Sequence, residues 1–133
     1  MLGAVAGIGA LMTTDVLTVA PEDTLGEAAA KMTERGVGAV VVSDFGRMIG
    51  ILSERDIMRA VADRIHSSEA RVREWMTADP ITATTDTSIE DAARTMFDNG
   101  FRHLPVVDDG GRVTGVVSLR RCVAAVNVAN DPA

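Results

Sequence analysis

Two histidines, His66 and His103, and a single cysteine, Cys122, are the side chains best suited to base, nucleophile or metal-ligand chemistry near neutral pH. They share no metal-ligand spacing, and no partner base is recognisable for Cys122, which reads as a core thiol on the final helix. There is no Gly-x-Ser-x-Gly elbow and no phosphate-cradling glycine loop; Gly7-Ile8-Gly9 follows no strand. No catalytic residue or metal site is expected, and the chain reads as a non-enzyme. What remains are polar groups at helix-start spacing. Ser53 and Asp56 stand at N-cap and N3 positions, where the carboxylate can cap the helix and favour its dipole. Ser118 reads in the same way as a cap.

Elements to position these groups are suggested by composition. The 133 residues are 47% hydrophobic and 24% charged, the balance of a soluble globular protein with a core of ordinary size. Aromatics are scarce, with one Trp, three Phe and no Tyr, so Val-rich strands and Ala/Met-rich helices are expected. A net charge of −6 argues against nucleic-acid binding, which needs a concentrated basic surface. One cysteine allows no intrachain disulfide and fits a reducing, cytoplasmic setting. The apolar opening Met1–Met12 ends at Asp15, too short to span a membrane; it reads as a short helix packed on the domain.

An internal repeat organises the chain. Met12-Thr13-Thr14-Asp15-Val16-Leu17-Thr18-Val19 returns as Met76-Thr77-Ala78-Asp79-Pro80-Ile81-Thr82-Ala83, a shift of 64 residues from Met12 to Met76. Ala28-Ala29, Met32 and Gly36 return as Ala92-Ala93, Met96 and Gly100, and Gly50-Ile51-Leu52-Ser53 returns as Gly115-Val116-Val117-Ser118. Each copy predicts an extended piece (Leu17–Val19, Ile81–Ala83) and a helix starting at Thr24 or Ser88 and ending at Gly36 or Gly100. Two strands follow, Val37–Val42 with Met48–Leu52 and His103–Val107 with Val113–Val117, joined by Asp/Gly hairpin turns. A closing helix then begins at Ser53 or Ser118. The fold class is α/β (α+β): two pseudo-twofold-related β-α-β-β-α units with three-stranded sheets whose bare faces bury each other in one module. Repeat one covers about 8–61, a connector 62–71 and repeat two about 72–128. The stretch Ala62–Glu74 holds no Pro or Gly and is expected to be largely helical. Trp75 is expected to anchor the second repeat's lead-in to the core.

The pattern Gly50-Ile51-Leu52-Ser53-Glu54-Arg55-Asp56, with Leu11-Met12-Thr13-Thr14-Asp15-Val16 and Arg102-His103-Leu104-Pro105-Val106-Val107-Asp108, resembles the cystathionine-β-synthase (CBS) domain family. The resemblance spans about Ile8 to Val126. It implies a tandem pair, or Bateman module, that binds AMP, ADP, ATP, or another adenosyl ligand such as NAD or S-adenosylmethionine, and regulates an unknown protein partner in trans. It also implies a disc-like homodimer.

The family's binding mode, carried over, joins Ile51, Ser53, Arg55 and Asp56 of repeat one to Ile81, Thr82, Phe101, Arg102, His103 and Pro105 of repeat two. Asp56 would hold the ribose diol, since a carboxylate offers two acceptor oxygens. Ile51, Ile81 and Phe101 would wall the base, and Arg102 and His103, with Arg55, would face phosphate. For Arg102, Arg55 and His103 a solvated or half-buried structural place is the alternative. The mirror-image set is Leu17, Thr18, Val37, Gly38 and Ala39 with Val116, Ser118, Arg120 and Arg121. There Arg121 stands where the family has Asp, and Gly38-Ala39 replaces Arg102-His103. One competent site per chain is therefore expected. The competing reading is a structural dimerisation or partner-docking module with a vestigial pocket.

Overall fold

The computed structural model describes residues 7–129. The chain divides into two units: one is Val16–Pro80, and the other joins the segment ending at Asp15 to the chain from Ile81 onward. The unit boundaries thus fall after the Met-Thr lead-in of each repeat. Each lead-in belongs to the unit built from the other repeat.

The Val16–Pro80 unit runs β1 (Thr18–Val19), α1 (Leu25–Arg35), β2 (Ala39–Asp44), β3 (Arg47–Ser53), α2 (Glu54–Ala62), α3 (Val72–Trp75) and β4 (Thr77–Ala78). Its sheet has the order β1-β2-β3-β4, with β1 parallel to β2 and the other pairs antiparallel. The three expected strands are present, and the second repeat's lead-in supplies β4 at the edge beside β3.

Local chemistry sets the ends of these elements. Thr24 and Glu27 form a reciprocal capping box at the start of α1, which satisfies two otherwise unpaired backbone donors. Gly36 ends α1 in the left-handed region with φ 72° and donates to Met32 and Thr33 carbonyls, a conformation that costs glycine little. Leu25, Ala28 and Met32 lie on one face and are buried, as helical spacing dictates. They pack with Val40, Val42 and Leu52 in the core of this unit. The β2–β3 turn has positive φ at Phe45 and Gly46, the two central positions of the hairpin turn that matches strand twist.

The connector differs from expectation. Within Ala62–Glu74, only Ala62, at the end of α2, and Val72–Glu74, in α3, are helical. The intervening backbone is used elsewhere: Ala70 and Ser67 carbonyls accept from Leu25 and Gly26 N–H groups at 3.0 and 2.9 Å. Val72 and Arg73 N–H groups donate back to Asp23 and Pro21, and Arg73 pairs with Glu22 at 2.6 Å. Serving the open N-terminus of α1 thus outcompetes helix continuation. Trp75 packs against the core of this same unit, so it anchors the lead-in to the first repeat's fold.

The other unit contains α4 (Ile89–Asn99), β5 (His103–Val107), β6 (Val113–Ser118) and α5 (Leu119–Ala129). Ala83 bridges Val106 in parallel and Thr13 bridges Val116 in antiparallel fashion, so the four-position sheet pattern recurs with shorter outer pieces. Ser88 caps α4 through the Asp91 N–H, and Gly100 ends it at φ 75°. Ile8, Ile89, Ala92, Met96, Leu104, Val106, Val117 and Cys122 form its core. Of the opening apolar run, Ile8–Ala10 forms a single 3-10 turn with Ile8 buried in this core; the first six residues of the expected short helix lie outside those described.

The lead-ins explain the repeat's strand glycines. A Cβ at Gly50 would lie 2.7 Å from Met76 Sδ and 2.8 Å from the Thr77 carbonyl oxygen. At Gly115 it would lie 2.6 Å from Met12 Sδ and 2.9 Å from the Thr13 carbonyl oxygen. In both units the Met-Thr segment runs so close over the strand that no side chain fits. Gly50→Ala and Gly115→Ala should each lower stability by about 1–3 kcal/mol in urea titrations. Gly110→Ala, where a Cβ would meet only Asp108 Oδ1 at 3.4 Å, should stay within about 0.5 kcal/mol. Equal stability of all three variants would contradict the close approach.

Candidate functional site

In the Val16–Pro80 unit the candidate residues meet at the corner where β3 passes into α2. Ile51 is half-buried in mid-strand, paired with Val41 on one side and Thr77 on the other. Ser53 ends β3 and is the N-cap of α2. Its hydroxyl accepts from the Asp56 N–H at 3.3 Å, while Asp56 Oδ2 accepts from the Ser53 N–H at 2.8 Å and from the Ser53 hydroxyl at 3.0 Å. Arg55, one residue earlier on the helix, is exposed.

Among the described residues Asp56 alone is both charged and buried, at 6% exposure. A buried carboxylate needs partners, and Asp56 has them on both oxygens. Its Oδ1 accepts from Arg59 Nη1 at 3.0 Å, while the Arg59 guanidinium stands 5.9 Å from the centroid of the Trp75 ring, within cation–π range. Asp56 therefore serves as a helix cap. A carboxylate has about four acceptor directions, so the three hydrogen bonds leave capacity for a further donor. Arg59 and Trp75 complete this corner. The sequence marks Trp75 only as a core anchor and does not single out Arg59; the available signal was the i,i+3 spacing of Asp56 and Arg59.

The second set of candidates lies around β5. Ile81 is 45% exposed and Thr82 is exposed. They precede Ala83, whose N–H donates to the Pro105 carbonyl at 3.0 Å, so this extended piece lies alongside β5. Phe101 packs partly buried against the core, and Arg102 beside it is exposed while its carbonyl accepts from Leu119 N–H at 2.8 Å. His103 opens β5, half-buried and paired with Ser118; Pro105 is buried and pairs with Val116.

The mirror set has the same scaffold with different chemistry. Leu17 and Thr18 run beside β2, with the Leu17 carbonyl accepting from Val41 N–H at 3.1 Å and Thr18 paired with Val41. Val37 and Gly38 are half-buried and Ala39 is buried, and the Gly38 carbonyl accepts from Glu54 N–H at 2.9 Å, as Arg102 does from Leu119. At the β6–α5 corner Val116 pairs with Thr13, Ser118 Oγ accepts from Arg121 N–H at 3.2 Å, and Arg120 is exposed. Arg121 acts structurally, since its Nη1 donates to the Leu11 carbonyl at 2.9 Å and ties down the lead-in. The N3 position of this corner thus carries a cation in place of a carboxylate.

Two titratable groups stand apart from these sets. Hydrogen bonding from the Thr84 hydroxyl lowers the pKa of Asp86. Burial raises that of Cys122, since desolvation disfavours a thiolate. Among the described residues no group of three or more His, Cys, Asp or Glu side chains could hold a metal. No helix among them is long and apolar enough to cross a membrane.

Known proteins resemble this chain in sequence and in fold. The CBS domain family matches residues 8–63 and 72–128. The uncharacterized 17.7 kDa protein of Acidianus ambivalens is 39% identical over 120 residues, covering 90% of this chain and 72% of that protein. The CBS domain pair of protein MJ0100, solved with 5′-methylthioadenosine and S-adenosyl-L-methionine, superposes with a TM-score of 0.82 at 25% identity, covering 90% of this chain and 98% of that one. CBSX2, solved in complex with AMP, gives a TM-score of 0.77 at 26% identity over 95% of this chain and 99% of that one.

Because Cys122 is buried and its thiol held protonated, iodoacetamide at mildly alkaline pH should leave the folded protein unmodified and alkylate it once denaturant is added. Rapid alkylation of the folded chain, read by mass spectrometry, would contradict this burial.

Proposed function

The chain belongs to the CBS domain family, and from that premise we propose that it is a non-enzymatic regulatory module that binds an adenine nucleotide or related adenosyl ligand. AMP, ADP and ATP are the first candidates, with NAD and S-adenosylmethionine next, and the output acts in trans on a protein partner in the cytoplasm. The observation that carries this reading is the buried Asp56 carboxylate in its Ser-x-x-Asp corner. A buried charge costs stability unless it is well paired, and a cap alone does not require one: Ser88 caps α4 through the Asp91 N–H without burying a carboxylate. Neighbours of the same fold solved with AMP and with S-adenosylmethionine supply the ligand class.

In this reading Asp56 takes the ribose hydroxyls, and Ile51 with Ile81 and Phe101 walls the base. Arg102, His103 and Arg55 meet the phosphates, with Ser53, Thr82 and Pro105 shaping the remainder. The Leu17–Ala39 and Val116–Arg121 set binds nothing in this way, because a cation stands where the ribose acceptor is needed. A second reading, a dimerisation or docking module with a vestigial pocket, draws on Asp56 being satisfied by its own cap and Arg59.

Calorimetric titration separates the two. AMP, ATP or S-adenosylmethionine should bind at one per chain, and Asp56→Asn, which keeps an acceptor for the cap, should weaken binding about tenfold or more, the size of a lost charge-assisted hydrogen bond. No binding of any adenosyl ligand would favour the docking reading. Unchanged affinity in Asp56→Asn would remove Asp56 from the site. We further propose a homodimer; light scattering should give twice the chain mass, and a strict monomer at all concentrations would contradict it.

A further inference from the structure

The Asp56 carboxylate is not symmetric in its bonding. Oδ2 is locked into the Ser53 cap by two donors, whereas Oδ1 carries the Arg59 guanidinium. Arg59 is 62% exposed although Asp56 is buried, so the guanidinium keeps its hydration and leaves the carboxylate at modest cost. Oδ2 has both acceptor directions filled and Oδ1 one of its two, so Oδ1 is the oxygen open to a ligand, and a diol that brings two hydroxyls to it does so at the expense of Arg59. The same guanidinium stands over Trp75, the last residue of α3. Met76 follows and lies against Gly50. Thr77 then pairs with Ile51 in the sheet, and the segment continues through Pro80 to Ile81 and Thr82. Carboxylate, guanidinium, indole and the strand beside Ile51 therefore form one continuous chain of contacts within the Val16–Pro80 unit.

We propose that Arg59 is a positioning residue and gate for Asp56: capture of Oδ1 by the two hydroxyls of a ligand diol releases Arg59 from the carboxylate and from the Trp75 ring, so that occupancy is passed to the α3–β4 lead-in. The proposal rests on the ribose-binding reading of Asp56 given above. It has a consequence that a phosphate-binding arginine would not share. Arg59 competes with the ligand, so its removal strengthens binding, because the fraction of competent carboxylate rises.

Trp75 is the only tryptophan and the chain has no tyrosine, so indole emission reports this corner alone. Emission of the intact protein, excited at the red edge of the indole band to avoid adenine absorption, should change when AMP is added. Without ligand, Arg59→Gln and Asp56→Asn should each move the emission in that same direction. Arg59→Gln should then show little further change with AMP, while calorimetry registers binding roughly two- to fivefold tighter, the factor expected for loss of a competing ion pair whose cation is solvent-exposed. Arg59→Lys, which restores the cation, should return affinity toward that of the natural sequence. Weaker AMP binding in Arg59→Gln, or emission that ignores both AMP and the substitutions while calorimetry detects binding, overturns the gate and leaves the ribose reading standing. Absence of calorimetric binding by AMP, ATP and S-adenosylmethionine overturns the ribose reading and the gate with it.

Discussion

The close approach of a Met-Thr segment to a strand glycine governs both units. Met76 and Thr77 pass over Gly50, and Met12 and Thr13 pass over Gly115, at distances that exclude any side chain. Backbone pairing accompanies each passage, Thr77 with Ile51 and Thr13 with Val116. In each case the segment comes from the start of one repeat and the glycine from the other repeat's strand. Neither unit has its complete sheet pattern without a piece of the other repeat. It also fixes the glycine of the Gly-x-x-Ser pattern for a packing reason, before any ligand is considered.

The chemistry is built immediately downstream of that constraint. Three residues after each glycine a serine caps a helix, and the residue at N3 decides what the corner can do. In the first repeat Asp56 places a buried carboxylate there. In the second Arg121 reaches back to the Leu11 carbonyl and holds the lead-in. Arg59 plays a related part in the first unit, lying over Trp75 while it pairs with Asp56. An arginine thus reaches the lead-in in both units, but only the first also carries an acid at N3. The residue type at that position leaves one corner with a buried acid and makes the other a structural clamp.

Much of this fold was legible in the sequence because its signals are local. Thr24 with Glu27, Gly36, Gly100, Ser53 and Ser118 mark helix ends through hydrogen bonds made within a few residues, and the structure has helix ends at each. The alternation of valines with Asp/Gly turns marks both hairpins in the same way. What was not legible depends on contacts between distant parts of the chain. The exchange of lead-ins needs a partner strand far away in sequence, although the paired glycines held its trace. The connector lacks helix breakers, yet it gives its carbonyls to Leu25 and Gly26, a demand set by the open end of α1. The meeting of Arg59 with Trp75 left no trace in the repeat because neither residue matches between the copies; it is a property of the first copy alone.

The two corners share a scaffold and differ in chemistry, and the proposed function makes only the Asp56 corner a nucleotide site. A crystal structure of the protein grown with AMP in excess is the most direct test. It should hold one nucleotide per chain, with its ribose hydroxyls on the Asp56 carboxylate, Arg59 withdrawn from Oδ1, and no nucleotide against Ser118 and Arg121. A nucleotide held at the Ser118–Arg121 corner, with the Asp56 cap and its Arg59 pair undisturbed, would contradict that proposal.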